Sequence, residues 1–214
     1  MTRQPSYETL SIFDADPVAL GSDGLRWIPV RRNLGIGAFG VNAYRADREG
    51  DTVIEEHVES PGQEELYVVI RGRARFTIDE DSIEAAVGTG VFVAQPDSRR
   101  HAVAMEAETA VLAIGGWRDQ AYHSLPWEPI YLAQGAMREG DWATAAETLE
   151  REAGEHRDTA IIRFRLACCF ARLGEDESAL AELSRAIEIR PEFRERAENE
   201  EAFAQLRGSD AWPP

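Results

Sequence analysis

The sequence predicts an α+β chain built in two parts, an all-β sandwich or barrel followed by an all-α segment. Three observations carry this expectation. From about Leu25 to Gly116, short runs rich in β-branched and aromatic residues are separated by Gly, Asp and Pro, the pattern of many short strands joined by turns. From Glu128 onward Ala, Leu, Glu and Arg dominate, and the apolar positions recur at helical period. Gly140, Gly174 and Gly208 then stand 34 residues apart, where helices are expected to end. The boundary falls near Pro126, which gives a β domain with an N-terminal extension over residues 1–125 and a helical domain over residues 126–214.

Nine segments read as strands in order: LRWIPV, AFGVNAYRA, TVIEEHVE, ELYVVI, ARFTID, SIEAAV, GVFVAQ, HAVAME and TAVLAIG. Side chains alternate across a strand, so Val53, Glu55, His57 and Glu59 are expected on one face of the third, while Glu64 is expected to point away from the face of Glu65. The stretch GIGAFG, residues 35–40, fits a dinucleotide fingerprint by spacing. That fingerprint requires a preceding strand and a following helix. Here a polar RRNL precedes it and the alternating VNAYRA follows, so it reads as a glycine-rich turn entering a strand.

The helical half divides into PIYLAQGAMREG, DWATAAETLEREAGEH, DTAIIRFRLACCFARLG, EDESALAELSRAIEIR and PEFRERAENEEAFAQLRG. Shifted by 34 residues, Leu132 aligns with Leu166, Ala133 with Ala167, Arg138 with Arg172, Ala145 with Ala179 and Leu149 with Leu183. This pattern resembles the tetratricopeptide repeat, best in the second unit, where Leu166, Ala167, Phe170, Gly174, Ala179, Leu183, Ala186 and Pro191 match. The first unit has Arg157 in place of the proline and Glu152 in place of a small residue. The segment from about Phe193 to Leu206 reads as a cap helix. Two units and a cap are fewer than repeat stacks usually need, so the helices are expected to lean on the β domain or on a second subunit.

Composition removes several function classes. The net charge of −16 divides evenly between the halves, leaving neither with the basic face of a nucleic-acid binder nor an attraction to anionic membranes. No apolar run approaches the length of a spanning helix, and the N-terminus has no secretion-signal pattern, so the expected location is the cytoplasm. All 23 cations are arginine, which excludes lysine Schiff-base chemistry and a phosphate-loop lysine and suggests a GC-rich bacterial source. Cys168 and Cys169 are neighbours in a helical pattern and are expected to be buried, reduced thiols.

The chemistry-bearing residues concentrate in two blocks. The first reads His57-x-Glu59-x5-Glu65-x6-Gly72, and the second Gly90-x5-Pro96-x-Ser98-x2-His101. Imidazole and carboxylate together suit Fe, Mn, Ni, Zn or Cu ions. Tyr67 shares a face with Glu65. Tyr44, Phe76, Phe92 and Gln95 are further residues that could line the interior, with Tyr67 and Gln95 the candidate substrate contacts. Arg71, Arg73 and Arg75 alternate along one edge as a solvated face, and His123 and His156 lie outside both blocks.

The two blocks resemble the two motifs of the cupin superfamily, over roughly residues 25–116. The resemblance implies a small antiparallel double-stranded β-helix or jelly-roll barrel, frequent homodimers, and one divalent metal (Fe, Mn, Ni or Zn) held inside by His57, Glu65 and His101. Glu59 stands where the family usually has a second histidine; it could be a fourth ligand, a catalytic base or a solvent-facing residue. The spacing from Glu59 to Glu65 is one residue longer than usual, Ser98 replaces a glycine and Met105 an asparagine. Two functions follow as expectations. One is a metal-dependent enzyme, of oxygenase or isomerase type, on a small organic molecule. The other is a non-catalytic sensor or adaptor that binds a small molecule in the barrel and a protein partner through the helices.

Overall fold

The computed structural model describes residues 7–20, 24–123, 125–153, 158–209 and 211–212; His156 and Arg157 lie outside them. The chain separates into two compact units, Met1–Ser124 and Leu125–Pro214. Among the described residues no helix is long and apolar enough to cross a membrane.

Among its described residues the first unit contains ten strands: β1 (Val18–Leu20), β2 (Leu25–Ile28), β3 (Gly40–Ala46), β4 (Thr52–His57), β5 (Gln63–Arg71), β6 (Arg73–Ile78), β7 (Asp81–Ala86), β8 (Gly90–Val93), β9 (Arg100–Ala104) and β10 (Ala110–Trp117). They form two sheets, ordered β1-β2-β3-β10-β5-β8 and β4-β9-β6-β7, with every recorded pairing antiparallel. One core joins the inner faces of both sheets. Tyr67, Val69, Val91, Val93, Val111 and Ala113 come from the first, and Ile54, Ala74, Phe76, Ala85, Ala102 and Ala104 from the second. This is the layered solution for sheets with one apolar face each. The outer face of the larger sheet is covered too. Val41, Ala43, Leu112 and Ile114 pack under Leu10, Ile12, Leu34 and Ile36.

Of two local features, the first departs from the strand pattern expected of the sequence and the second follows it. The run LRWIPV is not one strand: Pro29 caps a single helical turn, α1 (Val30–Asn33), because proline has no N–H to continue a ladder and its fixed φ suits a helix start. The glycine-rich stretch 35–40 is a turn that enters β3 at Gly40, with no helix after it.

The second unit holds α2 (Trp127–Arg138), α3 (Trp142–Ala153), α4 (Ala160–Leu173), α5 (Asp176–Ile189) and α6 (Phe193–Asn199). Each helix from α2 to α5 packs on its successor. Their shared core includes Leu149, Phe164, Leu166, Leu183, Phe193 and Phe203. The period of 34 appears in the backbone. Gly140 and Gly174 both have φ of +77°. The N–H of the residue after each reaches back one turn, Asp141 to Ala136 O and Glu175 to Phe170 O, both at 2.9 Å. The third expected helix end at Gly208 does not repeat this geometry. The segment 193–206 breaks at Glu200, which is extended (φ −82°, ψ 119°), and continues as a 3-10 turn over Glu201–Phe203. The break turns Phe203 and Leu206 into the same core as Phe193 and Ala197. Cys168 and Cys169 are buried, unpaired thiols, and burial pushes Cys169 up to about 12.

Candidate metal centre

The register of β4 decides which of its side chains enter the barrel. Thr52 opposes Val103, Ile54 opposes Ala102 and His57 opposes Arg100, with an irregularity in each interval. Each adds one residue on β4, as a β-bulge does. Val53 and Ile54 are therefore both buried, and the expected single face of Val53, Glu55, His57 and Glu59 is interrupted. The second bulge brings His57 onto the inner face beside Arg100. Glu59 lies beyond the end of β4, and its N–H donates to Pro96 O at 2.7 Å.

Glu65 arrives from the other sheet. It sits on the inner face of β5, between Val93 on β8 and Gly115 on β10. A Cβ at Gly115 would lie 3.4 Å from Glu65 Cγ and 3.8 Å from Gln63 Nε2, so the missing side chain makes room for both. His57, Glu59 and Glu65 offer three ligand atoms within 4.8 Å of one another, the one such group among the described residues. His57 Nε2 lies 3.4 Å from Glu59 Oε1 and 3.6 Å from Glu65 Oε2. Bonds of about 2.0–2.2 Å meeting at tetrahedral or octahedral angles hold donors about 3.0–3.5 Å apart, so the spacing fits a first-row divalent ion with small adjustments. The carboxylates are 12% and 13% exposed and the imidazole 33%.

The neighbours orient these donors. His57 Nδ1–H donates to Glu55 O at 2.8 Å, which leaves Nε2 for the interior, as partners of metal-binding histidines do. The Tyr67 hydroxyl donates a hydrogen bond to Glu65 Oε2 and stands 3.4 Å from His57 Nε2. Burial and the Glu65 charge hold this phenol well above its ordinary range, so it stays a donor. Burial alone would lower the pKa of His57. The close Glu59 and Glu65 carboxylates, at 3.4 and 3.6 Å, and the Glu55 carbonyl outweigh it and raise the pKa to about 10. Without a metal the site therefore holds a proton between two carboxylates.

Two expected contributors stand elsewhere. His101 opposes Thr77 on β6, on the face opposite to Arg100, Ala102 and Ala104, all of which are buried. Period-two alternation thus admits Arg100 to the barrel and excludes His101. Arg100 is 1% exposed. Its Nε and Nη2 donate to Ser98 O (3.0 and 2.7 Å), and Nη2 also to Gln95 O (2.9 Å) and Pro96 O (3.1 Å). Nη1 lies 3.7 Å from Glu65 Oε2. Pro96 O thus accepts from both Arg100 and Glu59, tying the two together. Gln95 contributes its own backbone carbonyl to Arg100, and the residue lines a cleft of about 370 Å³ with Pro61, Gly62 and Trp117.

The remaining sequence candidates are structural. Phe92 is exposed and opposes Leu66 on the outer face, whereas Tyr44 and Phe76 join the core. Glu64 points outward and pairs with Arg118. Arg73 and Arg75 both pair with Glu84, at 3.3 and 3.2 Å, on an exposed face, and Arg71 approaches Glu108 at 3.6 Å. His123 stacks on Trp117 at 4.0 Å between centroids. Arg100, Gln63 and Gly115 carry no motif signal. The small alternating residues Ala102 and Ala104 are the one sequence feature that could have placed Arg100 inward.

No family model and no curated protein matches the chain. Solved structures do show a likeness. A cupin protein from Bacteroides fragilis is 20% identical, with 56% of this chain and 92% of that chain covered, at a TM-score of 0.41. A sugar phosphate isomerase from a cupin superfamily, from Silicibacter pomeroyi, is 19% identical over 53% and 83%, at 0.43. A predicted oxalate decarboxylase from Thermotoga maritima is 14% identical over 44% and 81%, at 0.36.

Proposed function

We propose that the first unit is a cupin barrel that binds one divalent transition metal through His57, Glu59 and Glu65 and works on a small organic molecule beside it. The observation that carries this reading is the convergence of His57 and Glu65 from two sheets with Glu59 from the segment after β4, the second nitrogen of the imidazole being already engaged by Glu55 O. Two carboxylates and one imidazole make a hard donor set, suited to Fe, Mn or Zn, with Ni less favoured. Such an ion would supply Lewis-acid polarisation of a bound oxygen. The chain's own residues would do the rest. Tyr67 holds a proton on its hydroxyl against Glu65, and Arg100 fixes the 95–98 turn that anchors Glu59. His101 is not part of the proposed ligand set, because it occupies the other face of β9. The test is a thermal melt with added Fe(II), Mn(II), Ni(II) or Zn(II). The reading expects at least one of these ions to raise the melting temperature of the native protein and not of His57→Ala. No shift with any of the four ions overturns it.

The second unit supports a companion reading as a tetratricopeptide-like pair of helical hairpins with a cap. Its support is the identical backbone capping at Gly140 and Gly174, 34 residues apart. A cleft of about 250 Å³, lined in part by Trp142, Arg138, Arg165 and Arg172, suits a protein partner in the adaptor reading. A pull-down with the full chain that recovers no partner would count against it. The homodimer implied by the family resemblance belongs to the same proposal, and sedimentation equilibrium decides it.

A further inference from the structure

Arg100 is the one buried cation among the described residues, 1% exposed, and it adjoins all three donors. It stands opposite His57 in the β4–β9 register. Its Nη1 lies 3.7 Å from Glu65 Oε2. Its Nη2 shares Pro96 O with the Glu59 N–H. The carbonyls of residues 95, 96 and 98 hold Nε and Nη2, while Nη1 has no hydrogen-bond partner. The side chain is therefore clamped, and its charge stays beside the Glu65 carboxylate.

That charge differs in kind from the proton on His57. A guanidinium is not deprotonated in a protein, so an entering ion cannot displace it. Buried pairs are also little screened by salt. Glu59 and Glu65 supply two negative charges and Arg100 returns one positive charge. With a neutral imidazole the cluster thus offers an ion one net negative charge. A divalent ion leaves one positive charge in excess and a trivalent ion leaves two, and uncompensated charge is costly to bury. Repulsion from a fixed charge grows in proportion to the charge of the ion it meets. Arg100 therefore opposes a trivalent ion more than a divalent one.

We propose that Arg100 is a specificity-determining residue of this centre, holding it to divalent ions and against trivalent ions. The inference rests on the reading of His57, Glu59 and Glu65 as metal donors.

Competition titrations of Zn(II), Mn(II) and Ga(III), each buffered by nitrilotriacetate, test it in the native protein, Arg100→Gln and Arg100→Lys. The quantity read is the ratio of trivalent to divalent affinity. Arg100 also holds the 95–98 turn, so either substitution can loosen the site; loosening lowers both affinities together and leaves their ratio in place. Arg100→Gln removes the charge and should raise the ratio by about tenfold or more. Arg100→Lys keeps the charge and should hold the ratio near the native value. An unchanged ratio in Arg100→Gln, or an equal rise in Arg100→Lys, overturns the inference and leaves the metal reading standing. The native protein supplies a measurement that needs no variant. It should take Zn(II) or Mn(II) in preference to Ga(III) from an equimolar mixture of their nitrilotriacetate complexes, and the reverse preference also overturns the inference. Binding of none of the three ions to the native protein overturns the metal reading and this inference with it.

Discussion

A metal entering this site must displace the proton on His57, and the cost of that exchange is set by the two carboxylates around it. In the metal-free protein His57 is raised from 6.5 to about 10, so near neutral pH the imidazole is almost wholly protonated. Metal affinity should therefore climb about tenfold per pH unit between pH 7 and 9, with close to one proton released per ion bound. An imidazole at its ordinary value would give a curve already nearly flat above pH 7.5. The sign for stability is opposite in the metal-free protein. A raised histidine contributes stability that is fully present below 6.5 and is lost as pH rises through about 10. The metal-free protein should thus weaken over the range in which the metal-loaded protein tightens. Calorimetry with Zn(II) or Mn(II) in two buffers of different ionisation enthalpy counts the protons directly. A pH-independent affinity with no proton released would refute this reasoning, as would a metal-free protein whose stability rises from pH 7 to 9.

Three further outcomes follow from single contacts. Tyr67→Phe removes the donor to Glu65 while keeping the ring against Phe76; it should cost about 1–2 kcal/mol in chemical denaturation. Gly115→Ala places a methyl 3.2 Å from Glu64 O and 3.4 Å from Glu65 Cγ, so metal affinity by calorimetry should fall by a larger factor than stability does. In the helical unit, Gly174→Ala forces a side chain into φ +77°, which should lower stability by about 1 kcal/mol in urea melts.

The sequence carried the element order well and the inner faces poorly, for physical reasons visible in particular residues. Runs such as ELYVVI and ARFTID alternate because one face is core, so β5 and β6 stand where the pattern puts them. Val18–Leu20 is too short to show any period, and the turn at Pro29 interrupts an otherwise strand-like run. The two bulges in β4 add residues without changing the composition, so period counting cannot see them, although they decide that His57 faces inward. The motif resemblance implies His101 as the distal histidine, yet the pairing of Thr77 with His101 and Ile78 with Arg100 turns the histidine out and the arginine in. Glu59 joins the cluster from outside the strand, held by Pro96 O, a tertiary contact that no local pattern announces. In the helical half the 34-residue period was legible because it is written in glycines that need positive φ. The break at Glu200 was not, since it serves the burial of Phe203.

The central claim is that three donors, and not the histidine of the second motif, hold the ion. Metal content by plasma mass spectrometry, after growth with Fe, Mn, Ni and Zn and purification without added metal, tests this most directly in the native protein, Glu59→Gln and His101→Ala. The account predicts close to one transition-metal ion per chain in the native protein and in His101→Ala, and a large loss in Glu59→Gln. Loss of the metal in His101→Ala with full retention in Glu59→Gln would contradict it.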